Sequence, residues 1–135
     1  MNAKLLMIVF ASGLALVGCE QAQSPTEVRQ DVVEAQAEGH SDVADARAEA
    51  LKDSVDAETD VTKAVANHNV REAIDEAREA DQVATEGAEK VRVAQAEADR
   101  DVAIEKCDAL EGDARKQCRE RANTALENAK DRAGN

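Results

Sequence analysis

Cys107 and Cys118 close the run Cys107-Asp108-Ala109-Leu110-Glu111-Gly112-Asp113-Ala114-Arg115-Lys116-Gln117-Cys118. Three kinds of thiol chemistry are open to such a pair: a structural disulfide, a bridge to another chain, or redox exchange. On a straight helix, positions eleven apart share a face but lie about 16.5 Å apart along the axis. A disulfide needs Cα atoms within about 7 Å, so a bond within one chain requires the helix to fold back. The midpoint of the pair falls between Gly112 and Asp113, residue types suited to a C-cap and an N-cap, as the turn of a helical hairpin requires. Closing a loop of this size contributes about 3 kcal/mol in the chain-entropy model. The absence of any Cys-x-x-Cys weighs against redox catalysis.

Other chemistry finds little support. His40 and His68 have no Cys or second His at metal-ligand spacing, so surface or loop positions are expected for both and no metal site. Carboxylates are plentiful, but a carboxyl becomes a general acid only where burial raises its pKa, and this composition offers little to build a pocket. There is no P-loop, Gly-rich dinucleotide turn or nucleophile elbow, and no aromatic platform for bases or sugars. No catalytic residue, cofactor or small-molecule substrate is expected, and the chain reads as non-enzymatic.

The third cysteine belongs to the N-terminus. Met1-Asn2-Ala3-Lys4 precedes an apolar run from Leu5 to Val17 broken only by small residues. A short basic region before an apolar stretch of this length is the pattern of a secretion signal, and it falls short of the roughly 18 to 20 apolar residues of a membrane span. The run ends Leu16-Val17-Gly18-Cys19, which resembles the lipobox of bacterial lipoproteins. That resemblance implies a diacylglycerol on the Cys19 sulfur, cleavage that removes residues 1–18, and often acylation of the new amine. Two or three acyl chains would make the attachment to a membrane effectively permanent. Glu20 stands where an aspartate commonly retains such proteins in the inner membrane, so the resemblance implies the periplasmic face of the outer membrane. A signal of this kind also supplies the oxidising compartment that a disulfide needs.

From Cys19 onward the chain has 29 acidic against 16 basic residues, a formal charge of −13. That argues against nucleic acid or an anionic lipid surface as partner. This part has no aromatic residue and no methionine, and its large aliphatics are twelve Val, three Leu and two Ile. Such a set cannot fill an ordinary globular core, and a low aliphatic share with high charge usually means disorder. Alanine and the strong helix formers Glu, Arg, Lys and Gln shift the balance toward long, thinly packed helices.

These helices must position the cysteine pair, and their starts and stops are partly written in the chain. Ser24-Pro25-Thr26-Glu27 combines an N-cap, a proline at the first helical position and a capping-box glutamate. Gly39-His40-Ser41, Asn67-His68-Asn69, Gly87 and Gly112-Asp113 punctuate the rest, with Ser41, Asn69 and Asp113 as natural N-caps. The pattern predicts helices near 25–38, 42–66, 70–86, 88–110 and 114–131. An isolated Gly costs only about 1 kcal/mol, so neighbouring segments can run on as one. A loose repeat recurs at Asp42–Ala50, Ala73–Ala80 and Val93–Ala98, and Val32 with Val43, like Val91 with Val102, is spaced by eleven. Eleven is the hendecad spacing, a coiled-coil stripe that is weak here because most of it is alanine.

The expected architecture is therefore all-α: a signal over 1–18, a lipidated and partly disordered tether over 19–24, an Ala/Glu-rich helical region over 25–105, a disulfide-clamped hairpin over 106–131 and a disordered tail over 132–135. Cys107-x-x-Leu110-x-Gly112, a basic stretch and Cys118 also resemble a tail module of Ala-rich helical envelope proteins of proteobacteria, over about residues 104–125. That resemblance implies no activity. The expected function is a membrane-anchored helical spacer, scaffold or interaction element, with the membrane as partner through its lipid and a protein partner or self-association besides. The other reading is a largely disordered stress protector resembling late-embryogenesis-abundant proteins.

Overall fold

The computed structural model describes residues 21–134, so residues 1–18 and Cys19 lie outside the described residues. The fold is all-α, with α1 (Pro25–Ala66), α2 (Val70–Cys107) and α3 (Gly112–Ala133) in chain order.

α1 begins where the capping chemistry puts it. The Ser24 hydroxyl accepts from the Glu27 backbone N–H at 3.3 Å, and the Ser24 N–H donates to the Glu27 carboxylate at 3.0 Å. Hydrogen bonding to the Ser24 side chain, and then to the Ser24 backbone N–H, holds the Glu27 carboxyl below its ordinary pKa. Ser24→Ala is expected to fray the first turn by about 1 kcal/mol, seen as faster amide exchange from Glu27 to Val32. Unchanged exchange there would mean that the box does not hold the helix.

Two expected breaks are absent. α1 runs straight through Gly39-His40-Ser41, and α2 runs straight through Gly87, so Ser41 caps nothing. Both glycines are buried because they sit where the two helices come closest. A Cβ on Gly39 would stand 2.5 Å from the Cβ of Ala98, and one on Gly87 would stand 2.9 Å from the Cβ of Ala50. They serve close approach rather than termination. The break at Asn67-His68-Asn69 is real: His68 takes a left-handed φ of 56°, and Asn69 caps α2 by accepting from the Glu72 N–H at 3.2 Å.

The Gly39–Ala98 and Ala50–Gly87 contacts fix α1 and α2 as an antiparallel hairpin. Val28, Gly39, Ala50 and Val61 form one row of covered or partly covered positions on α1, with Val32, Val43 and Ser54 beside it. Each row steps by eleven. At 3.67 residues per turn such rows run almost parallel to the helix axis, so two long helices can stay in contact.

α3 packs antiparallel on α2, and no Cα of α1 comes within 8 Å of it. Ala98 of α2 meets α1 and Cys107 meets α3. Nine residues apart, they point to opposite sides of α2, about 180° around the helix. The three helices thus form a single layer with α2 in the middle. α3 ends level with Glu89, where Arg92 donates to the Ala133 carbonyl at 3.3 Å. Ala133 is buried and helical and the Gly134 N–H donates to the Lys130 carbonyl, so residues 132–134 belong to the end of α3 rather than to the disordered tail expected there.

The core is as thin as the composition requires: Cys107 is the largest fully buried side chain among the described residues. Pairs that bridge helices, Lys90 with Glu49 and Lys130 with Glu97, are exposed. Such pairs contribute little.

Candidate functional site

The densest chemistry lies at the corner between α2 and α3. α2 ends at Cys107, the chain turns through Asp108–Glu111, and Cys107 and Cys118 are joined with Cα atoms 5.6 Å apart. The bond and the fold-back occur together, as the distance argument demands. The turn, however, lies earlier than the midpoint of the pair. Asp113 is inside the first turn of α3 rather than its N-cap, and that position belongs to Glu111. Gly112 supplies the reversal with φ of +51°, a backbone that side-chain-bearing residues rarely adopt.

Glu111 makes no capping hydrogen bond because its carboxylate is used elsewhere: it accepts from the Ala22 N–H at 3.3 Å. This is one of several bonds that tie the start of the described chain to the corner. The Gln23 N–H donates to the Asp108 carbonyl at 2.9 Å. Arg115 donates through Nη2 to the Gln21 carbonyl and through Nε to the Leu110 carbonyl, both at 2.7 Å. The tether expected to be partly disordered is therefore irregular but fastened from Gln21 onward.

Asp108 holds this knot from below. Its side chain is nearly buried and accepts from Arg119 Nη2 at 2.6 Å, while Arg115 Nε stands at 3.9 Å. Two guanidinium groups thus supply the charge compensation that a buried carboxylate needs. One turn earlier, desolvation and the neighbouring Asp108 and Asp31 carboxylates push the Glu105 carboxyl above its ordinary pKa.

The cysteine pair stands out in the sequence, whereas Asp108, Arg115, Arg119 and Gln21 do not. Arg115 and Gln21 are 94 residues apart, and Arg119 and Asp108 are eleven apart, so no helical i,i+4 pairing betrays either contact. Only the fold-back joins them.

Cys107 is 0% exposed and Cys118 is partly covered, so the pair is open to an attacking thiolate only from the Cys118 side. His40 lies exposed on α1 and His68 in the α1–α2 turn. Among the described residues no three His, Cys, Asp or Glu side chains are grouped to hold a metal, and no helix is long and apolar enough to cross a membrane.

A second feature lies at the far end of the hairpin. Beside the α1–α2 turn, a cleft of about 610 Å³ is walled by Val61, Val65, Val70, Ala73 and Ile74. Val70 is 73% exposed and Ile74 49%, an unusual display for residues of this kind in so polar a chain.

Comparison of the chain with protein-family models, with characterised proteins and with solved structures finds no match in any of the three.

Proposed function

We propose that the chain is a non-enzymatic lipoprotein of the bacterial cell envelope, anchored through Cys19 at the periplasmic face of the outer membrane and serving as a helical spacer, scaffold or protein-interaction element. One observation carries this reading: Gln21 to Gln23, the residues directly after Cys19 and Glu20, are fastened to the disulfide corner. An acyl group on Cys19 would be held at that end of the molecule. α1 has 42 residues, so the apolar tip would stand about 60 Å away. A rod fixed at one end and adhesive at the other suits a spacer.

The thin core supports the same reading: among the described residues Cys107 is the largest fully buried side chain, which leaves little to shape a substrate site. The eleven-residue rows with Gly–Ala contacts support a hendecad coiled coil as the way α1 and α2 pair.

The test is metabolic labelling with an alkyne fatty acid in cells that express the full chain. The wild type is expected to carry the label, and Cys19→Ser to lose it and leave the membrane fraction or remain unprocessed. Equal labelling of both would sink the anchor. Circular dichroism with light scattering tests the helical rod, since a disordered monomer would favour the stress-protective reading instead.

A further inference from the structure

All three helices have an end at one extremity of the molecule: α1 starts there after Ser24, α2 stops at Cys107, and α3 starts at Gly112. The first described residues cross this end. From Ser24 the chain leads to Gln23, whose N–H reaches the Asp108 carbonyl, then to Ala22 at the Glu111 carboxylate, then to Gln21 at Arg115. The strap so formed runs from the start of α1, across the end of α2, to the first turn of α3.

We propose that this end is a footing: the α2–α3 corner and its strap seat on the bilayer that holds the Cys19 acyl chains, and the rod stands up from it. The footing rests on the lipid reading of Cys19 given above.

Reach sets the seat. Between the acylated sulfur and the fastened Gln21 lie only Cys19 and Glu20, and two residues span at most about 7 Å. That is less than the roughly 10 Å diameter of one helix, so the headgroups lie within a helix width of Arg115. Unfastened, residues 19–24 would reach about 20 Å, enough for the rod to turn freely on its anchor.

The surface at this end fits a bilayer. Among the described residues Leu110 is the one large aliphatic exposed there. Its N–H donates to the Cys107 carbonyl and its carbonyl accepts from Arg115, so its backbone meets the interface with its polar groups already satisfied. Glu27, Asp108 and Glu111 hold partners within the chain, and Lys106 and Lys116 are exposed.

Standing also suits the charge. On one broad face of the α1–α2 hairpin Asp31, Glu34 and Glu38 gather around Glu105, and Asp53, Asp56 and Asp60 around Glu79 and Glu86. Upright, the first three lie about 10 to 20 Å from the Ser24 end and the next three about 45 to 55 Å, beyond the screening length of about 8 Å at physiological ionic strength. A rod lying on that face would press both groups against headgroup phosphates. The opposite face shows Leu51 and the tip cleft, but nearer the corner it is lined by Gln36, His40, Gln95 and Asp99, so a rod lying there would bury polar groups along that stretch.

The test places a photo-crosslinking residue in place of Leu110, Leu51 or Val70 in the full chain, in bacterial cells grown with an alkyne fatty acid. Mass spectrometry reads the label on Cys19, the phospholipid adducts and the intact 107–118 disulfide that marks a folded variant. Adducts are expected from position 110, and only background from 51 and 70. Exposure alone would rank them otherwise, since Leu110 is 37% exposed, Leu51 68% and Val70 73%. Inserting about twelve Gly and Ser residues between Glu20 and Gln21 adds about 20 Å of reach and should cut the adduct at 110 about tenfold while the label stays. A labelled chain with adducts from 51 and 70 as strong as from 110, with none from 110, or with an adduct at 110 that the insertion leaves unchanged, would overturn the footing alone. A chain without label on Cys19 would overturn the anchor and the footing with it.

Discussion

A chain carrying Cys107→Ala and Cys118→Ala is expected to lose about 3 kcal/mol of stability and to come apart from one end. The loop that the bond closes is short, but the loss is large beside a total of about 5 to 15 kcal/mol for a typical domain. Apart from the corner bonds of Arg115 to Gln21 and Arg119 to Asp108, little else holds α3. Among the helices it packs on α2 alone, chiefly through Ala122, Ala129 and Ala133 with Leu126, and alanine buries little apolar area. Alanine is the informative substitution, because a serine hydroxyl at the fully covered Cys107 site would add an unsatisfied polar group. Hydrogen exchange should show protection lost across Gly112–Ala133 and at the Gln23 amide, with α1 and α2 around Gly39 and Gly87 still protected. The melting temperature should fall by about 10 °C or more. Uniform loss of protection would mean that the corner and the hairpin are one cooperative unit. No loss would mean that α3 docks without its clamp.

The parts legible in the sequence were those with local causes. The Ser24 capping box, the Asn69 cap and the Cys107–Cys118 fold-back each depend on residues within a dozen positions, so composition and spacing are enough. The eleven-residue spacing of Val32 with Val43 and of Val91 with Val102 likewise marked rows that the hairpin covers. What spacing could not supply was the partner of a residue. Gly39 and Gly87 looked like helix ends because a glycine's local meaning is a break, and only the opposing helix turns it into a contact point. A signal was nevertheless present: Gly39 and Ala50 are eleven apart, as are Gly87 and Ala98, and antiparallel pairing on that interval sets each Gly against an Ala. The tether shows the same limit. Nothing near Gln21 or Gln23 announces a partner, because Asp108, Glu111 and Arg115 arrive from the other end of the chain.

Gly39→Ala provides the sharpest test of this pairing, because two effects of opposite sign compete at one methyl group. In an exposed helix interior the change would stabilise by about 1 kcal/mol, since alanine is the better helix former. At Gly39 the new Cβ meets the Ala98 Cβ at 2.5 Å and its Cα at 3.2 Å. These are a stiff methyl and backbone, so the helices themselves must separate, and overpacking of this kind costs about 1 to 3 kcal/mol. Separation also forfeits contacts along the neighbouring rows, since dispersion fades over fractions of an ångström. Net destabilisation by about 2 kcal/mol is expected, and less from Gly87→Ala, where the clash is 2.9 Å. Exchanging the pair, as Gly39→Ala with Ala98→Gly, returns the missing volume to the opposite helix and should recover most of the loss. Chemical denaturation of the three variants gives the answer directly. If Gly39→Ala is as stable as the wild type or more so, or if the exchange fails to rescue it, α1 and α2 do not meet at Gly39 and Ala98, and the hairpin register built on that contact is wrong.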